Sequence, residues 1–244
     1  FTMEKTDLVL PDVIPIVIRR EYWQTYGGPG TFGAGQNVLY QMFLTGDATT
    51  YTVVELVLPG GSKVRFPRIN GGTDKASGVF EHTATPTAWY KARVTWNASR
   101  NGWDLTRKDG LLYQFSDAGL PGPMLTGIRD RLGNQLTVAR TYMVHGQDFT
   151  RITSPSGRWV DVTWENLGTY HITQLRDNLG RTVSYTYDSS IRLIRVTDPA
   201  GGTTEYTYDG TSQRIKTITD ARGLVYLTND YDANGRVSKQ TQAD

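Results

Sequence analysis

Tyr206-Thr207-Tyr208-Asp209-Gly210-Thr211-Ser212-Gln213-Arg214-Ile215-Lys216-Thr217-Ile218-Thr219-Asp220-Ala221-Arg222-Gly223 decides the fold class of this chain. Its opening alternates aromatic with Thr, the period of two that marks a strand with one buried face. Asp209-Gly210 then marks a turn, because Asp bonds the backbone amides ahead of it and Gly tolerates positive φ. Arg214 to Thr219 predicts a short return strand, and Asp220-x-x-Gly223 reverses the chain again. One such unit is a β-hairpin of about 22 residues. Strands of six to eight residues at about 3.3 Å each would make a ribbon about 20–26 Å wide.

The unit recurs on either side of this stretch. Leu175-Arg-Asp177-Asn-Leu-Gly180, Val196-Thr-Asp198-Pro-Ala-Gly201 and Ile218-Thr-Asp220-Ala-Arg-Gly223 share an aliphatic residue, Asp two positions on, and Gly three after the Asp. Ile128-Arg-Asp130-Arg-Leu-Gly133 fits as well, and so does Ile152-Thr-Ser154-Pro-Ser-Gly157 with Ser for Asp. The anchors 130, 154, 177, 198 and 220 lie 24, 23, 21 and 22 residues apart. A second landmark, Tyr187-Asp188, Tyr208-Asp209 and Tyr231-Asp232, rides with the last three units, the final copy arriving one residue late as if after a small insertion. A sustained period of this length signals a repeat architecture in which each unit is stabilised by its neighbours. Val183, Tyr185 and Tyr187 share one strand face, as do Thr204, Tyr206 and Tyr208, and Val160, Val162 and Trp164.

Composition agrees. Among 244 residues there are 26 Gly, 10 Pro, 14 Tyr and 6 Trp, a mixture that suits pleated strands punctuated by turns. No dozen residues keep an apolar 3.6-residue period, so the chain reads as all-β, built of consecutive antiparallel hairpins. The absence of Cys excludes a disulfide framework, a thiolate zinc site, an iron–sulfur cluster and a cysteine nucleophile. With 26 Lys+Arg against 24 Asp+Glu there is no electrostatic case for nucleic acid or an acidic membrane surface. The longest apolar run, Val13-Ile14-Pro15-Ile16-Val17-Ile18, is too short to span a bilayer, and no signal segment follows Phe1.

At Tyr231-Asp232-Ala-Asn-Gly235-Arg236-Val237 the repeat resembles the YD, or Rhs, repeat. The copies at Tyr187-Asp188 and Tyr208-Asp209 keep the Tyr-Asp and lose the Gly-Arg pair. Asp7-Leu-Val-Leu-Pro-Asp-Val-Ile-Pro-Ile-Val-Ile-Arg-Arg-Glu-Tyr22 resembles the segment that opens the repeat shell in Rhs proteins. Leu58-Pro-Gly-Gly-Ser-Lys-Val-Arg-Phe66 and Leu105 to Phe115 look like divergent members of the hairpin series. The resemblance divides the chain into a shell-opening region, 1–125, and YD/Rhs repeats of about 22 residues, 126–244. It implies a sheet that spirals into a hollow shell enclosing a toxic C-terminal domain, in a secreted bacterial effector made without a visible signal peptide. The partners it implies are the toxin domain and remaining shell of the same parent chain, with a type VI secretion spike protein and a chaperone. The 244 residues then read as part of a longer protein, and the strand at the open end of the sheet is expected to self-associate.

Chemistry-bearing residues carry bland readings first. The turn residues Asp130, Gly133, Gly157, Asp177, Gly180, Asp198, Gly201, Asp220 and Gly223, with Asp188, Asp209 and Asp232, are expected to build turns; one Asp per turn falls far short of calcium's six to eight oxygens. His82, His145 and His171 are expected to be structural, and no Gly-x-Ser-x-Gly elbow accompanies them. Glu55, Glu165 and Glu205 lie in strand-like runs, but no spacing singles out a catalytic pair. Gly27-Gly28-Pro29-Gly30 flanks no helix and reads as loop, and Asn97-Ala98-Ser99 matches a glycosylation sequon. No enzyme activity, metal or cofactor is expected. The alternative to a shell segment is a cell-surface YD-repeat module that binds carbohydrate or a partner protein through Trp23, Trp89, Trp96, Trp103, Trp159, Trp164 and the Tyr columns.

Overall fold

The fold is that of a computed structural model, which describes residues 1–26, 29–117, 122–143 and 146–243; at 29, 142, 143, 146 and 147 it describes the backbone alone. Among these residues the regular structure is all strand but for one short 3₁₀ turn, Leu39–Gln41. The chain opens with β1 (Thr2–Leu10), β2 (Ile16–Trp23), β3 (Pro29–Gly30), β4 (Gly33–Ala34) and β5 (Gln36–Val38). A three-stranded sheet follows: β6 (Phe43–Gly46), β7 (Val53–Val57) and β8 (Lys63–Pro67). Next come β9 (Val79–Glu81), β10 (Arg93–Asn97), β11 (Gly102–Thr106), β12 (Leu112–Phe115), β13 (Leu125–Arg129), β14 (Gln135–Met143) and β15 (Gly146–Thr153). The last eight are β16 (Trp159–Asn166), β17 (Tyr170–Asp177), β18 (Thr182–Tyr187), β19 (Leu193–Thr197), β20 (Thr203–Tyr208), β21 (Ile215–Thr219), β22 (Val225–Tyr231) and β23 (Val237–Gln242). Strands β9 to β23 follow one another in chain order as a 15-stranded open sheet. This is the all-β series of antiparallel hairpins that the repeat predicts, and the segments around Leu58–Phe66 and Leu105–Phe115 form hairpins of their own.

Two compact units make up the chain. One contains Phe1–Leu8, Val17–Val38 and Val160–Asp244; the other contains Val9–Ile16 and Leu39–Trp159. In the first, alternation along β18 buries Val183 and Tyr185 and exposes Thr186, and Tyr206 is buried along β20. Leu193, Ile215, Ile218 and Leu227 complete that face, and Phe32 packs on Tyr185 with ring centroids 4.7 Å apart. In the second unit Phe66, Phe80, Trp103, Phe115 and Phe149 are fully buried. Each such side chain contributes about 1.5–3 kcal/mol by burial.

The register shows a feature that period-two reading misses. Thr163 faces Gln174 but Trp164 faces Ile172, so Thr173 is an extra residue in the return strand. The same slip leaves out Ile194, Lys216 and Ser238. A β-bulge therefore recurs in each return strand of the first unit, just past the hairpin turn. Two further extra residues lengthen the last units, one before the Asp220 anchor and one, which makes Tyr231 a residue late, after it. Asp209 bonds Arg214, five residues on, where Asp188 bonds Arg192, four on. A second extra residue, Tyr226, is skipped where Ile218 faces Leu227 and Thr219 faces Val225.

Candidate functional site

The two turn families recognised in the sequence are one turn. The Asp177 amide donates to the Arg181 carbonyl at 3.0 Å, and the Gly180 amide donates to the Asp177 carbonyl at 2.9 Å. This is the three-residue hairpin loop that needs positive φ at its last position, met by Gly180 at +81°. The Asp177 carboxylate accepts from the amides of Leu179 and Arg181 at 3.0 and 2.9 Å. Asp130, Asp198 and Asp220 bond the amides two and four residues on in the same way, with Gly133, Gly201 and Gly223 all at positive φ. Asp188 and Asp232 do the same on the opposite side of their strands. At Asp188 the glycine position is held by Ile191 at φ +58°, costly for a β-branched residue. Asp209 departs: its longer turn leaves its carboxylate to the Arg214 guanidinium at 2.8 Å.

Ser154 has the backbone bonds of this turn, with Gly157 at φ +84°, but lacks the carboxylate. Asp12 supplies it from the N-terminal segment. The Asp12 carboxylate accepts from the Ser154 hydroxyl at 2.5 Å and the Ser156 amide at 3.1 Å, and also from the Ser156 hydroxyl. The Ser154 and Ser156 hydroxyls hold the Asp12 carboxyl well below the usual carboxylate range. The Arg158 guanidinium donates to the neighbouring Pro11 carbonyl.

The tyrosines of the Tyr-Asp pairs act at the bulges. Tyr187 donates its hydroxyl to the Ile172 carbonyl at 2.7 Å, Tyr208 to Leu193 at 2.8 Å and Tyr231 to Ile215 at 2.6 Å. Each acceptor immediately precedes an extra bulge residue in the hairpin before. A bulge locally disrupts the ladder, and the hydroxyl supplies a donor there. Burial raises the ionisation of Tyr187 and Tyr208 well above that of free Tyr, so both stay protonated donors. A second clamp runs forward. Arg192 lies over the Tyr208 ring, 4.8 Å from its centroid, and donates to the carbonyls of Gly210 and Ser212, both at 2.9 Å. Arg214 stands over Tyr231 at 5.3 Å. The Tyr column itself breaks at Asn229, fully buried, whose amide donates to the Ile215 carbonyl at 3.1 Å.

The N-terminal strands dock on these hairpins through Arg20 and Tyr22. Buried Arg20 donates through Nε and Nη2 to the Asp7 carboxylate at 2.5 and 3.1 Å, and to Gln36 Oε1 at 2.7 Å. It also donates to the Tyr206 hydroxyl at 2.9 Å, while Tyr185 donates to Asp7 at 2.8 Å. Burial opposes the charge on Arg20, but the Asp7 carboxylate, together with Tyr206 and Tyr185, outweighs it and holds the guanidinium's pKa well above its ordinary value. Burial, and then Asp7, push the Tyr185 hydroxyl up. Tyr22 donates to the Gln213 carbonyl at 2.9 Å. Alongside, His171 Nδ1 lies 3.1 Å from the Gly30 carbonyl and Nε2 lies 2.6 Å from Thr169 Oγ1; burial lowers its pKa.

The remaining candidates are placed as follows. His82 is buried between the Arg65 carbonyl at 2.8 Å and Thr85 Oγ1 at 2.9 Å. His145, Gly27 and Gly28 lie outside the described residues. Glu55 pairs with Lys63 at 3.0 Å, Glu205 pairs with Arg195 at 2.8 Å, and Glu165 faces His171 across the ladder. Asn97 donates its amide to Asp104 at 2.7 Å. Trp103 is buried; Lys75 covers the ring of Trp96, Arg151 that of Trp159 and Arg107 that of Trp89. Trp23 and Trp164 are half-buried. Among the described residues no three His, Asp or Glu side chains gather to hold a metal ion. No described helix is long and apolar enough to cross a membrane.

Hairpins that each fasten a tyrosine into the bulge of the one before define a β-hairpin repeat protein, with an N-terminal segment docked through a buried ion pair. The model of the RHS repeat matches residues 192–225, which run from Arg192 through the Tyr208 turn to the Asp220 turn. A domain of unknown function (DUF6531) matches residues 1–83, which include Asp7, Arg20 and Tyr22. Together the two matches support the likeness of this chain to Rhs/YD-repeat proteins. No curated protein matches it.

Proposed function

We propose that this chain is a non-catalytic wall segment of a hollow β-shell that encloses a toxic domain of the same parent polypeptide and holds it for delivery to competing bacteria, through a type VI secretion spike. One observation carries this reading: the tyrosines of the Tyr-Asp pairs, together with Arg192, fasten one hairpin to the next. Containment needs such a wall, because a sheet that leaves no strand unpaired excludes proteases and hides its cargo. In this reading the chain needs no cofactor, and its partners are the enclosed domain, the rest of the shell, the spike and a chaperone.

Limited proteolysis of the parent polypeptide tests it. The region C-terminal to the repeats should resist protease in the wild type. It should become cleavable, and harmful to the producing cell, when Arg20→Ala opens the docked N-terminal strands. Equal cleavage of that region in both forms would refute the proposal. The carbohydrate-binding alternative has less support, because cations cover the rings of Trp89, Trp96 and Trp159.

A further inference from the structure

We propose that Asn101 is a self-modifying residue: the amide of Gly102 displaces its side-chain ammonia, and water converts it to aspartate and isoaspartate, whereas the two other Asn-Gly pairs of the chain are shielded. The inference rests on the hydrogen bonds of three loops and is independent of what the repeats enclose.

Asn-Gly is the dipeptide in which this reaction is least hindered, because the attacking amide belongs to a residue without a Cβ. The chain has three, Asn70-Gly71, Asn101-Gly102 and Asn234-Gly235, and in each the Asn is exposed. Sequence alone ranks them equal. The reaction needs an Asn side chain free to swing onto the next amide, and a backbone loose enough to close a succinimide ring.

Asn70 meets neither condition. Its Nδ2 donates to the Ser77 carbonyl at 2.7 Å, and its Oδ1 accepts from the Val79 amide at 2.9 Å. Arg68 ties down the same loop, donating to the carbonyls of Asn70, Gly71 and Asp74 at 3.1, 2.9 and 2.8 Å. Asn234 has a free side chain but a closed backbone. The Gly235 amide, which would have to attack, donates to the Asp232 carbonyl at 2.9 Å. The Asn234 amide donates to the Asp232 carboxylate, also at 2.9 Å.

Asn101 meets both. Its side chain forms no hydrogen bond among the described residues. Two amides of the turn between β10 and β11 make long bonds: Asn101 to the Ala98 carbonyl at 3.3 Å and Arg100 to Asn97 Oδ1 at 3.2 Å. These lie at or past the long end of the normal range. Asn101 also holds φ +49°, a left-handed conformation that costs Asn less than most residues but still stores strain. The Arg100 guanidinium packs against Gly102, where an added Cβ would lie 2.8 Å from its Nη1. That cation favours the negative charge that the Gly102 nitrogen takes on as it gives up its proton.

Water is the only co-reactant. The Gly102 nitrogen bonds to Asn101 Cγ and passes its proton to water; the Cγ–Nδ2 bond breaks and ammonia leaves. Water then opens the succinimide at either carbonyl, giving aspartate or isoaspartate. Both products add a negative charge to the turn. Isoaspartate also puts an extra carbon into the backbone between Asn97 and Gly102, the pair that closes the β10–β11 ladder beside Trp96 and Trp103.

The test incubates the full chain in mildly alkaline buffer, once folded and once in urea. Peptide mapping by mass spectrometry, with an isoaspartate-specific methyltransferase, then follows each Asn-Gly pair. In the folded chain Asn101 should convert first, with Asn70 slower by about tenfold or more, the worth of the two side-chain bonds that must break. In urea the three pairs should convert at similar rates. Arg68→Ala should speed conversion of Asn70 and leave that of Asn101 unchanged, and Asn101→Gln should remove the first product formed. The wild-type comparison decides the matter even if Arg68→Ala fails to fold. Equal rates at the three pairs of the folded chain would overturn the proposal, since sequence alone would then set them. So would conversion of Asn70 or Asn234 ahead of Asn101, or an Asn101 that reacts only in urea.

Discussion

The hydroxyl of Tyr208 donates at 2.8 Å to the carbonyl of Leu193, which opens the return strand of the preceding hairpin just before the bulge residue Ile194. Tyr187 and Tyr231 repeat the relationship. The tyrosine of the repeat is thus a fastener between hairpins, and the bulge creates the need for it. Tyr208→Phe keeps the ring under Arg192 and removes only the donor, leaving a part-buried carbonyl without it. A loss of about 1 kcal/mol is expected, read as a lower urea midpoint with an unchanged slope. An unchanged midpoint in Tyr208→Phe, beside a clear loss in Tyr208→Ala, would show that the hydroxyl contributes nothing.

The buried Arg20–Asp7 pair should behave differently. Arg20→Met leaves the Asp7 carboxylate buried among Tyr185 and apolar side chains without its cation. Breaking one side of such a pair costs about 3–5 kcal/mol, more than a surface pair ever contributes. The double variant Asp7→Asn/Arg20→Met should recover part of that loss. A double-mutant cycle by chemical denaturation measures the coupling, and additive losses would contradict it.

Position 191 offers a gain. Ile191 holds φ +58° where Gly133, Gly157, Gly180, Gly201, Gly223 and Gly235 stand in the equivalent turns. Ile191→Gly removes strain of about 1–3 kcal/mol, against which stand the greater freedom of Gly in the unfolded chain and the loss of a half-buried side chain. A net stabilisation of about 1 kcal/mol is expected, seen as a raised Tm.

These three sites differ in how much of them a linear reading exposes. The turn aspartates and glycines are legible because the residues of one turn are neighbours in the chain, so their chemistry is fixed by local spacing. Even there, Gly235 three residues after Asp232 shows that the Tyr-Asp turn and the Asp-x-x-Gly turn are the same object. The buried face of β18 is legible from parity. The partner of Tyr208 is not, because it depends on a register slip that inserts a residue in the other strand without a mark in composition. Asp7 and Arg20 lie 13 residues apart on separate strands, and only the docked fold brings them to Tyr206. Cations over Trp96 and Trp159 are equally invisible to alternation.

Acid should loosen the N-terminal strands before it attacks the turns. His171 has its pKa lowered by burial, so the folded state binds fewer protons there than the unfolded state near pH 6. Its contribution is fully present above the unfolded value of about 6.5 and is lost as pH falls through the lower folded value. The depressed carboxyls of Asp130, Asp188 and Asp220 act later, losing their stabilisation below about pH 4. Urea midpoints of the wild type should therefore drop between pH 7 and pH 5. In His171→Phe the midpoint is lower throughout, but the difference between the two pH values shrinks; an unchanged difference would exclude His171 as its source.

Asp12 gives the most direct test of how the turn chemistry is shared. Ser154→Asp places a carboxylate on the turn's own amides, as at Asp130 and Asp177. The new carboxylate competes with Asp12 for the Ser156 amide and repels it. The turn then stays closed while the segment Val9–Ile16 loses its fastening to Ser154 and Ser156. Hydrogen exchange should rise in that segment in Ser154→Asp and in Asp12→Ala, but should stay slow at Gly157 in the former. Adding Asp12→Asn to Ser154→Asp removes the repulsion and should restore part of the protection at residues 9–16. If Ser154→Asp leaves that protection intact, the segment is held by its strand packing, and Asp12 is not the fastener.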